Sequence, residues 1–449
     1  MSNYLFNDFE KSTPNTWKQK IQVDLKGADY NDTLLWKTDE GITVKPFYTK
    51  EDRTHQSIQL PKSGFNICQS INVDNEELAN TLANDALQRG ANAIEFIANK
   101  TFDYKTLLQN INTQNTYLYF KFSFLSAEFI TELTEYINSK NSFFNIDIIG
   151  NLASTGNWFQ NLKNDHLELK KIVEQNQNSI AVNTTIYQNA GATITQQLAY
   201  TLAHANEYLN YFGSQIASKI HFNISVGSNY FFEIAKLRAF RILWNSLLKE
   251  YNIEKQTAHI FTQPSFRNKT LYDYNVNMLR TTSECMSAIL GGSNTISNIS
   301  YDKLFHNSNE FGERISRNQL LILQQESYLA EAQQIADGTY YIEALTTQLA
   351  EKALEIFKLI EQGGGFLQQL KDGVIQRKIK ESANKEQEQF DKVDLVLLGT
   401  NKIQNDKDLM KNDLEKNPFV KNRDEKTLIE PVIQKRLAEK LEQERLNNE

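Results

Sequence analysis

Short apolar runs alternate with amphipathic runs from about residue 64 to residue 330. The apolar runs are rich in Ile, Val, Phe and Tyr, and most of them end at Gly, Asn, Ser or Pro. This composition predicts β-strands. There are eight such runs: FNICQSI (65–71), NAIEFIA (92–98), YLYFKFSF (117–124), FFNIDIIG (143–150), SIAVNTTI (179–186), IHFNISVG (220–227), AHIFTQPS (258–265) and NTISNIS (294–300).

The runs between the predicted strands have the period of helices. In NEELANTLANDALQRG (75–90), Leu78, Leu82 and Leu87 lie on one stripe of a helix that ends at a glycine. In SNYFFEIAKLRAFRILWNSLLKE (228–250), apolar residues recur every three or four positions. Each predicted strand is therefore followed by a predicted helix.

Eight strand–helix units in succession predict a parallel (β/α)₈ barrel over residues 61–370. An open, doubly wound sheet is the competing architecture. It usually has fewer strands and, when it binds a dinucleotide, a G-x-G-x-x-G turn after a strand. The sequence has no such turn, so the barrel is favoured.

The segments that flank the barrel differ from it in pattern. Residues 1–60 contain Trp17 and Trp36 but no long period, which predicts an extended N-terminal arm. Residues 371–449 are dominated by charged and amide side chains and predict a linker with a charged, helical tail. Within that tail, we expect one buried strand in VDLVLLGTNK (393–402) and a terminal helix with Pro431 near its start.

Composition excludes several classes of protein. Hydrophobic residues make up 40% of the chain and charged residues 23%, the balance of a globular protein. A net charge of −7 argues against a nucleic-acid-binding protein. Because no apolar run approaches the roughly 20 residues of a membrane span, and the N-terminus has no continuous apolar core, we expect neither a membrane segment nor a secretory signal. The two distant cysteines, Cys68 and Cys285, fit a reducing cytoplasm.

Spacing alone identifies no reactive constellation. The stretch 280–302 carries a Gly pair and Cys285, but its glycines follow a predicted helix instead of preceding one, so it predicts a helix end and the eighth strand. Gly363–Gly365 likewise predict a helix stop. The histidines lack metal-ligand spacing, and two of them fall within predicted strands, where alternation decides whether they face the barrel lumen. The six are His55, His166, His204, His221, His259 and His306.

Five stretches resemble the barrel subunits of adenosylcobalamin-dependent methylmalonyl-CoA mutases. The resemblance runs in order from about residue 25 to residue 375 and implies the same barrel fold. It rests on LKGADYNDTLLWKTDEGITVKPFYTKED (25–52), QNAGATITQQLAYTLAHANEYL (188–209), FFEIAKLRAFRILW (231–244), RTTSECMSAILGGSNTISN (280–298) and EFGERISRNQLLILQQESYLAEAQQIADGTYYIEALTTQLAEKA (310–353).

The chain departs from the catalytic members where they carry their chemistry. Their Tyr- and Arg-containing PYTRG loop, which grips the substrate, is replaced here by THQSIQLPKSGFNICQSI (54–71). Their His before the MQ-AGA stretch corresponds to Ile186, which can neither donate a hydrogen bond nor titrate. A second His corresponds to Ser297. Beyond residue 371 there is no His, so the Asp-x-His-x-x-Gly loop that ligates cobalt in the family is missing.

These departures imply a catalytically silent small subunit of a heterodimeric mutase. By resemblance, the large subunit holds adenosylcobalamin and interconverts methylmalonyl-CoA and succinyl-CoA, while this chain binds no cofactor. Residues 371–449 are then the remnant of a reduced cobalamin-binding domain. We expect the arm to wrap the partner, with Trp17 and Trp36 as interface anchors.

Two alternatives stay open. In the first, the chain is a catalytic acyl-CoA mutase barrel that works with a separate cobalamin-binding chain. Ile186 and Ser297 oppose this hypothesis. Alternatively it is a non-enzymatic module that binds a CoA ester. In that case Gln188, Arg280 and Thr281 are the residues expected to remain from a substrate groove. We predict no catalytic, cofactor-binding or metal-ligating residue in this chain.

Overall fold

The N-terminal arm consists of short elements laid against a larger body. In the computed structural model, which describes residues 7–10, 12–53, 58–61, 64–254, 256–420 and 425–449, the arm contains two helices and a small hairpin. These elements are helices α1 (Pro14–Asp24) and α2 (Tyr30–Leu34) and the antiparallel strands β1 (Trp36–Lys37) and β2 (Thr43–Val44).

Eight parallel strands form a nearly closed barrel, and they confirm all eight predicted strands. Their neighbour order is β6-β5-β4-β3-β10-β9-β8-β7. Two backbone hydrogen bonds join the ends of the series, from Phe144 N to Asn178 O (2.9 Å) and from Ala181 N to Ile146 O (3.0 Å). The strands are β3 (Asn66–Asn72), β4 (Ala93–Ala98), β5 (Tyr117–Phe122), β6 (Ser142–Asn145), β7 (Ile180–Asn183), β8 (Ile220–Val226), β9 (His259–Pro264) and β10 (Thr295–Ser297).

Helices surround the barrel and continue beyond it. The predicted stops are confirmed, because α11 ends before the Gly291–Gly292 pair and α13 ends before Gly363–Gly365. The helices are α3 (Glu76–Gln88), α4 (Tyr104–Leu107), α5 (Ala127–Ile137), α6 (Ile148–Thr155), α7 (Leu162–Gln175), α8 (Thr185–Asn189), α9 (Ile194–Phe212), α10 (Tyr230–Glu250), α11 (Val276–Leu290), α12 (Glu310–Leu321), α13 (Tyr340–Gln362), α14 (Phe366–Lys371), α15 (Val374–Asp391) and α16 (Glu439–Asn448).

Strand alternation divides the core into two parts. One set of side chains points outward against the helices, where Phe96, Phe120 and Phe144 stack with ring centroids 5.8 and 5.4 Å apart. The residues between them point into the lumen, among them Tyr119 and Phe143, whose centroids are 4.8 Å apart. The main hydrophobic core therefore lies between sheet and helices, and a second, smaller cluster fills the lumen.

Local signals explain where the helices begin. The Asn75 side chain accepts a hydrogen bond from Leu78 N at the start of α3 (2.8 Å), as an N-cap should. At the start of α9, Thr193 and Gln196 form a capping box. The buried face of α3, however, is formed by its alanines. Of the predicted leucine stripe, Leu78 and Leu82 are exposed, and Leu87 is partly buried against the core.

Four predicted elements differ from the structure. The apolar runs at 143–150 and 179–186 each end in a helix, α6 and α8, because the chain turns directly after a short strand. The strand predicted at 393–402 is wrong, since that segment forms turns and a single bridge between Leu398 and Lys402. The terminal helix begins at Glu439, so Pro431 lies in an extended segment before it.

Across the part of the chain that the structure describes, no helix is both long and apolar enough to cross a bilayer.

Candidate functional site

A cavity lies at the barrel mouth, the end formed by the carboxyl ends of the strands. It has a volume of about 580 Å³. Gln188, Gly227 and Arg267 line it from the chain segments that follow β7, β8 and β9, while Glu40 of the arm and residues of α15 complete the wall. In (β/α)₈ barrel enzymes the active site lies at this end of the barrel.

Gln188 lies within a buried polar cluster at the floor of this cavity. Its Nε2 donates to Glu233 Oε1 (3.1 Å), and its Oε1 accepts from Lys236 Nζ (3.1 Å). Lys236 also donates to Gln197 Oε1 (3.0 Å) and forms an ion pair with Glu233 (2.5 Å). Burial lowers the pKa of Lys236, and the charge of Glu233 opposes that shift. The amide of Gln188 is therefore held by its own chain.

Glu40 joins the arm to the barrel at the edge of the same cavity. Its carboxylate accepts hydrogen bonds from Ile194 N (2.9 Å) and Thr195 N (2.8 Å), the free amides at the start of α9. Burial outweighs these hydrogen bonds, which act in the opposite direction, and raises the pKa of Glu40 above its usual value. A carboxylate in this position is stabilised by the helix dipole, so Glu40 fixes the arm to the mouth.

The other charges of the cavity wall are paired with one another. Arg267 Nε donates to Glu386 Oε2 (2.8 Å), and Lys385 lies 2.7 Å from Asp39 of the arm. Gln389 Nε2 also donates to Asp39 (2.9 Å). Helix α15 is thus tied both to the barrel and to the arm, and these contacts close one side of the cavity.

The other two residues expected in a substrate groove are not brought to Gln188. Arg280 donates to Thr270 Oγ1 and Asn277 Oδ1 (both 2.8 Å) and to the Leu398 carbonyl (2.8 Å). Thr281 is buried and donates to Met278 O (3.2 Å). Both lie on α11 and neither is among the residues that line the cavity.

Side chains fill the barrel lumen. Tyr119 Oη is 2.8 Å from His259 Nε2 and 2.7 Å from Thr295 Oγ1, and the Phe143 ring stacks on His259 with centroids 4.2 Å apart. His221 Nε2 is 2.8 Å from Asn145 Oδ1, so both strand histidines face the lumen. Burial lowers the pKa of His221 to about 3 and that of His259 well below its usual value. Both rings are therefore held neutral near pH 7, with His221 fully buried and His259 partly exposed.

A lumen carboxylate escaped the sequence analysis. Glu95 is buried on β4 and accepts from Ser70 Oγ (2.6 Å) and Asn145 Nδ2 (3.3 Å). Ser70 is also 2.9 Å from Ser297 Oγ, the position at which catalytic mutases carry a His. The single acidic residue within the apolar run NAIEFIA was the signal that could have identified it.

A buried acid–histidine pair joins the start of α6 to α9. Asp147 Oδ1 is 2.9 Å from His204 Nε2 and accepts from Tyr208 Oη (2.7 Å). Burial raises the pKa of Asp147, but His204, Tyr208 and the amide of Asn183 outweigh it and hold that pKa below its usual range. Asp147 also caps α6 by accepting from Gly150 N (2.8 Å), so the pair organises the backbone.

Neither cysteine is prepared to act as a nucleophile. Cys68 and Cys285 are free, buried thiols. Burial raises the pKa of both above the usual range, which disfavours the reactive thiolate. Within the described ranges, no group of three His, Cys, Asp or Glu side chains could hold a metal ion. His55 lies outside the described residues.

The C-terminal segment crosses the barrel mouth as a strap, here defined as residues 428–437. Backbone amides of the strap donate to carbonyls that follow three different strands. Val432 N reaches Ala153 O in α6 (2.7 Å), Lys435 N reaches Asn189 O at the end of α8 (3.0 Å), and Leu437 N reaches Arg267 O after β9 (2.9 Å).

Buried polar contacts hold the end of the strap in place. Arg436 forms an ion pair with Glu442 (2.5 Å) and donates to Lys269 O (3.2 Å), and Glu442 accepts from Leu271 N (2.7 Å). Both charged side chains are buried. The C-terminal tail, which composition predicts to be charged and helical, is therefore packed against the barrel at the strap.

Comparisons of the sequence with a family profile and with known proteins point to one family. Its profile, described as methylmalonyl-CoA mutase, matches residues 140–447. The chain is 32% identical over 446 residues to the methylmalonyl-CoA mutase small subunit of Porphyromonas gingivalis, a match that covers 89% of this chain and 71% of that protein.

Two further relatives match a shorter region. The chain is 36% identical over 234 residues to the methylmalonyl-CoA mutase of Rhizobium meliloti, which covers 50% of this chain and 33% of that protein. It is 33% identical over 234 residues to the methylmalonyl-CoA mutase large subunit of Propionibacterium freudenreichii subsp. shermanii, with coverage of 50% and 32%. The chain thus spans most of the small subunit but only about a third of the length of these two relatives.

Proposed function

Because the chain belongs to the methylmalonyl-CoA mutase family, we propose that it is the catalytically silent small subunit of a heterodimeric mutase. The complex interconverts methylmalonyl-CoA and succinyl-CoA in the cytoplasm, and the large subunit holds substrate and adenosylcobalamin. One observation carries this proposal: the match to a small subunit extends over 89% of the chain, whereas the matches to the Rhizobium meliloti mutase and to a large subunit cover half of it.

The barrel itself supports the absence of catalysis in this chain. Ile186, in the place of a His of catalytic members, is 3% exposed and packs into the main core. Ser297, in the place of a second His, is buried in the filled lumen next to Ser70. General acid–base catalysis needs a titratable group within reach of substrate, and these two positions offer none.

The residues at the mouth do not fit a resident cobalamin. In this family the cofactor supplies radical chemistry and a His of its binding domain ligates cobalt, but residues 371–449 contain no His. The strap occupies the carbonyls that follow β6, β7 and β9. Among the described histidines, His306 lies beside the mouth and is partly exposed. Its Nδ1 lies 3.2 Å from Asp302 and its Nε2 lies 3.3 Å from Asp413. We therefore assign the cofactor to the large subunit.

The arm is the surface that we assign to the large subunit. We propose a division into the arm (1–60), the barrel (61–370) and the remnant of a second domain (371–449). Trp17 and Trp36 are 56% and 51% exposed, respectively. Each also makes an edge-to-face contact with a neighbouring ring, Trp17 with Phe47 and Trp36 with Phe232. Large, exposed and pre-oriented aromatic side chains are typical anchors of protein interfaces.

Assembly with the large subunit tests this assignment. Mass photometry of the two chains should give a one-to-one complex, and the double variant Trp17→Ser/Trp36→Ser should weaken it by about tenfold or more, as expected for two hot-spot residues. Tyr136→Ser, which removes a 45% exposed aromatic residue from α5, should leave the complex unchanged. A complex that is insensitive to both variants would place the interface elsewhere.

A second candidate function, a module that binds a CoA ester without chemistry, is favoured by the cavity of about 580 Å³ at the mouth. Such a groove should offer convergent polar groups, and Gln188 and Arg267 are there. Calorimetric titration of the isolated chain with methylmalonyl-CoA distinguishes the candidates. Binding that is weakened in Gln188→Leu would favour the module, and the absence of binding would favour the silent subunit.

A further inference from the structure

Two leucines on α3 face solvent where the sequence pattern predicts a core stripe. Leu78 and Leu82 are 60% and 44% exposed, while Ala79, Ala83 and Ala86 pack inward. Leu78 and Leu82 are four residues apart and so lie next to each other on the helix surface. They form one wall of a groove of about 360 Å³ between α3 and α12.

The floor of this groove combines apolar and amide groups. Ile71, from the end of β3, and Ala86 are buried there below the leucines. Gln69 forms a hydrogen bond with Glu313 and accepts one from Arg317 Nη1 (3.2 Å). The groove is therefore held open by contacts between β3 and α12 and does not depend on a ligand for its shape.

The rim of the groove is acidic. Asp74, Asp85, Glu310 and Glu313 line it, and the one cationic side chain among the described lining residues, Arg317, is buried and 6% exposed. Asp85 and Glu310 have basic neighbours on their outer sides, Arg89 at 2.7 Å and Arg314 at 3.8 Å. The groove thus presents aliphatic surface between carboxylates.

We propose that this groove binds a basic, amphipathic helical segment of a partner protein. Apolar side chains spaced by three or four residues would cover Leu78 and Leu82, and flanking Lys or Arg side chains would meet the acidic rim. An acidic segment or an anionic small molecule would be repelled by Asp74 and Glu313, the two rim carboxylates for which the described residues provide no ion pair. The proposal uses neither the arm nor the mouth cavity, so it is independent of the subunit assignment above.

Titration with model peptides tests the proposal on the full chain. The probe is a fluorescein-labelled peptide of about 14 residues with Leu on one helical face and Lys elsewhere, followed by fluorescence anisotropy. We expect saturable binding that weakens as NaCl is raised from 50 to 300 mM, because the rim charges are exposed to screening. A peptide with Glu in place of Lys, and a Lys–Leu peptide with its leucines scrambled over all faces, should each bind at least tenfold more weakly.

Variants locate the binding. Leu78→Ser/Leu82→Ser and, separately, Asp74→Asn/Glu310→Gln should each raise the Kd by about tenfold, whereas Leu279→Ser/Leu359→Ser should leave it within about twofold. The control pair is matched because Leu279 and Leu359 are 70% and 66% exposed on other helices. No saturable binding, or equal losses in the groove and control variants, would overturn the proposal. A benzophenone-bearing peptide should crosslink within residues 69–86 or 307–317, and crosslinks elsewhere would also overturn it.

Discussion

Several buried charges in this protein lie in pairs. Lys269 Nζ lies 2.8 Å from Glu284 Oε2 and 2.9 Å from Oε1, and Asn268 Nδ2 donates to the same carboxylate (2.7 Å). Neither charged side chain is more than 2% exposed. Such a pair contributes little net stability compared with apolar residues of the same shape, but removing one partner leaves the other charge without compensation.

Glu284→Ala should therefore be among the most destabilising single substitutions in the chain. We expect a loss of about 3–5 kcal/mol in the free energy of unfolding, measured by urea denaturation. Glu381→Ala removes an exposed partner of Lys378 and should cost less than about 1 kcal/mol. A small loss in Glu284→Ala would contradict the pairing described here.

His221 should make the protein sensitive to acid. Burial lowers its pKa from 6.5 to about 3, so the folded protein keeps it neutral while the unfolded chain takes up a proton below pH 6.5. The contribution of neutral His221 to the free energy of unfolding is complete above pH 6.5 and is lost as the pH falls toward 3. Between pH 7.5 and pH 5 this loss amounts to about 2 kcal/mol.

His221→Gln keeps a donor for Asn145 and should reduce this pH dependence of the stability by about 2 kcal/mol. The free energy of unfolding would be measured by urea denaturation at pH 7.5 and at pH 5. His306→Gln is a control of opposite sign. Partial burial lowers the pKa of His306, but Asp302 and Asp413 outweigh it and raise that pKa, so its contribution is present below pH 6.5 and lost as the pH rises. Removing it should steepen the loss on acidification. Equal pH profiles in wild type and His221→Gln would contradict a buried neutral ring.

Pairings such as these could not be predicted from the sequence. Glu95 meets Asn145 across 50 positions, and Asp147 meets His204 across 57. No local pattern links them, because strand order brings them together. Of the candidate site, only Gln188 was both identified in the sequence and found at the cavity, and its proposed role in a substrate groove stays a prediction.

At the scale of elements, the sequence predicted all eight strands because they are short runs rich in Ile, Val, Phe and Tyr, although polar residues such as Glu95 and His221 interrupt them on the lumen side. It did not separate α6 and α8 from the strands before them, since the apolar run continues through the turn. The leucine stripe of α3 predicted the helix correctly but not its buried face, which packs closely through alanine. The contacts of the strap are long-range and left no periodic signal.

The strap depends on Arg436 for its position. We expect Arg436→Ala to increase amide exchange across residues 428–442, because Glu442 then loses its buried counter-charge. The barrel strands should remain protected. Lys440→Ala removes an exposed charge nearby and is the matched control. Unchanged exchange in Arg436→Ala would mean that the backbone contacts alone hold the strap.

At the scale of the whole molecule, three features agree with a subunit that supports catalysis elsewhere. The lumen is filled by aromatic and polar side chains, the strap covers part of the mouth, and the charges around the cavity are paired. In contrast, the arm exposes Trp17 and Trp36. The chain itself covers part of the barrel mouth, and the exposed aromatic surface of the arm is available to a partner.

The most direct test is mutase turnover with methylmalonyl-CoA and excess adenosylcobalamin, measured for this chain alone and after mixing with the large subunit. We predict no succinyl-CoA from this chain alone, and turnover together with a one-to-one complex on mixing. Turnover by this chain alone would contradict the account, because it would require a working acid–base site in a barrel that carries Ile186 and Ser297 at the two histidine positions.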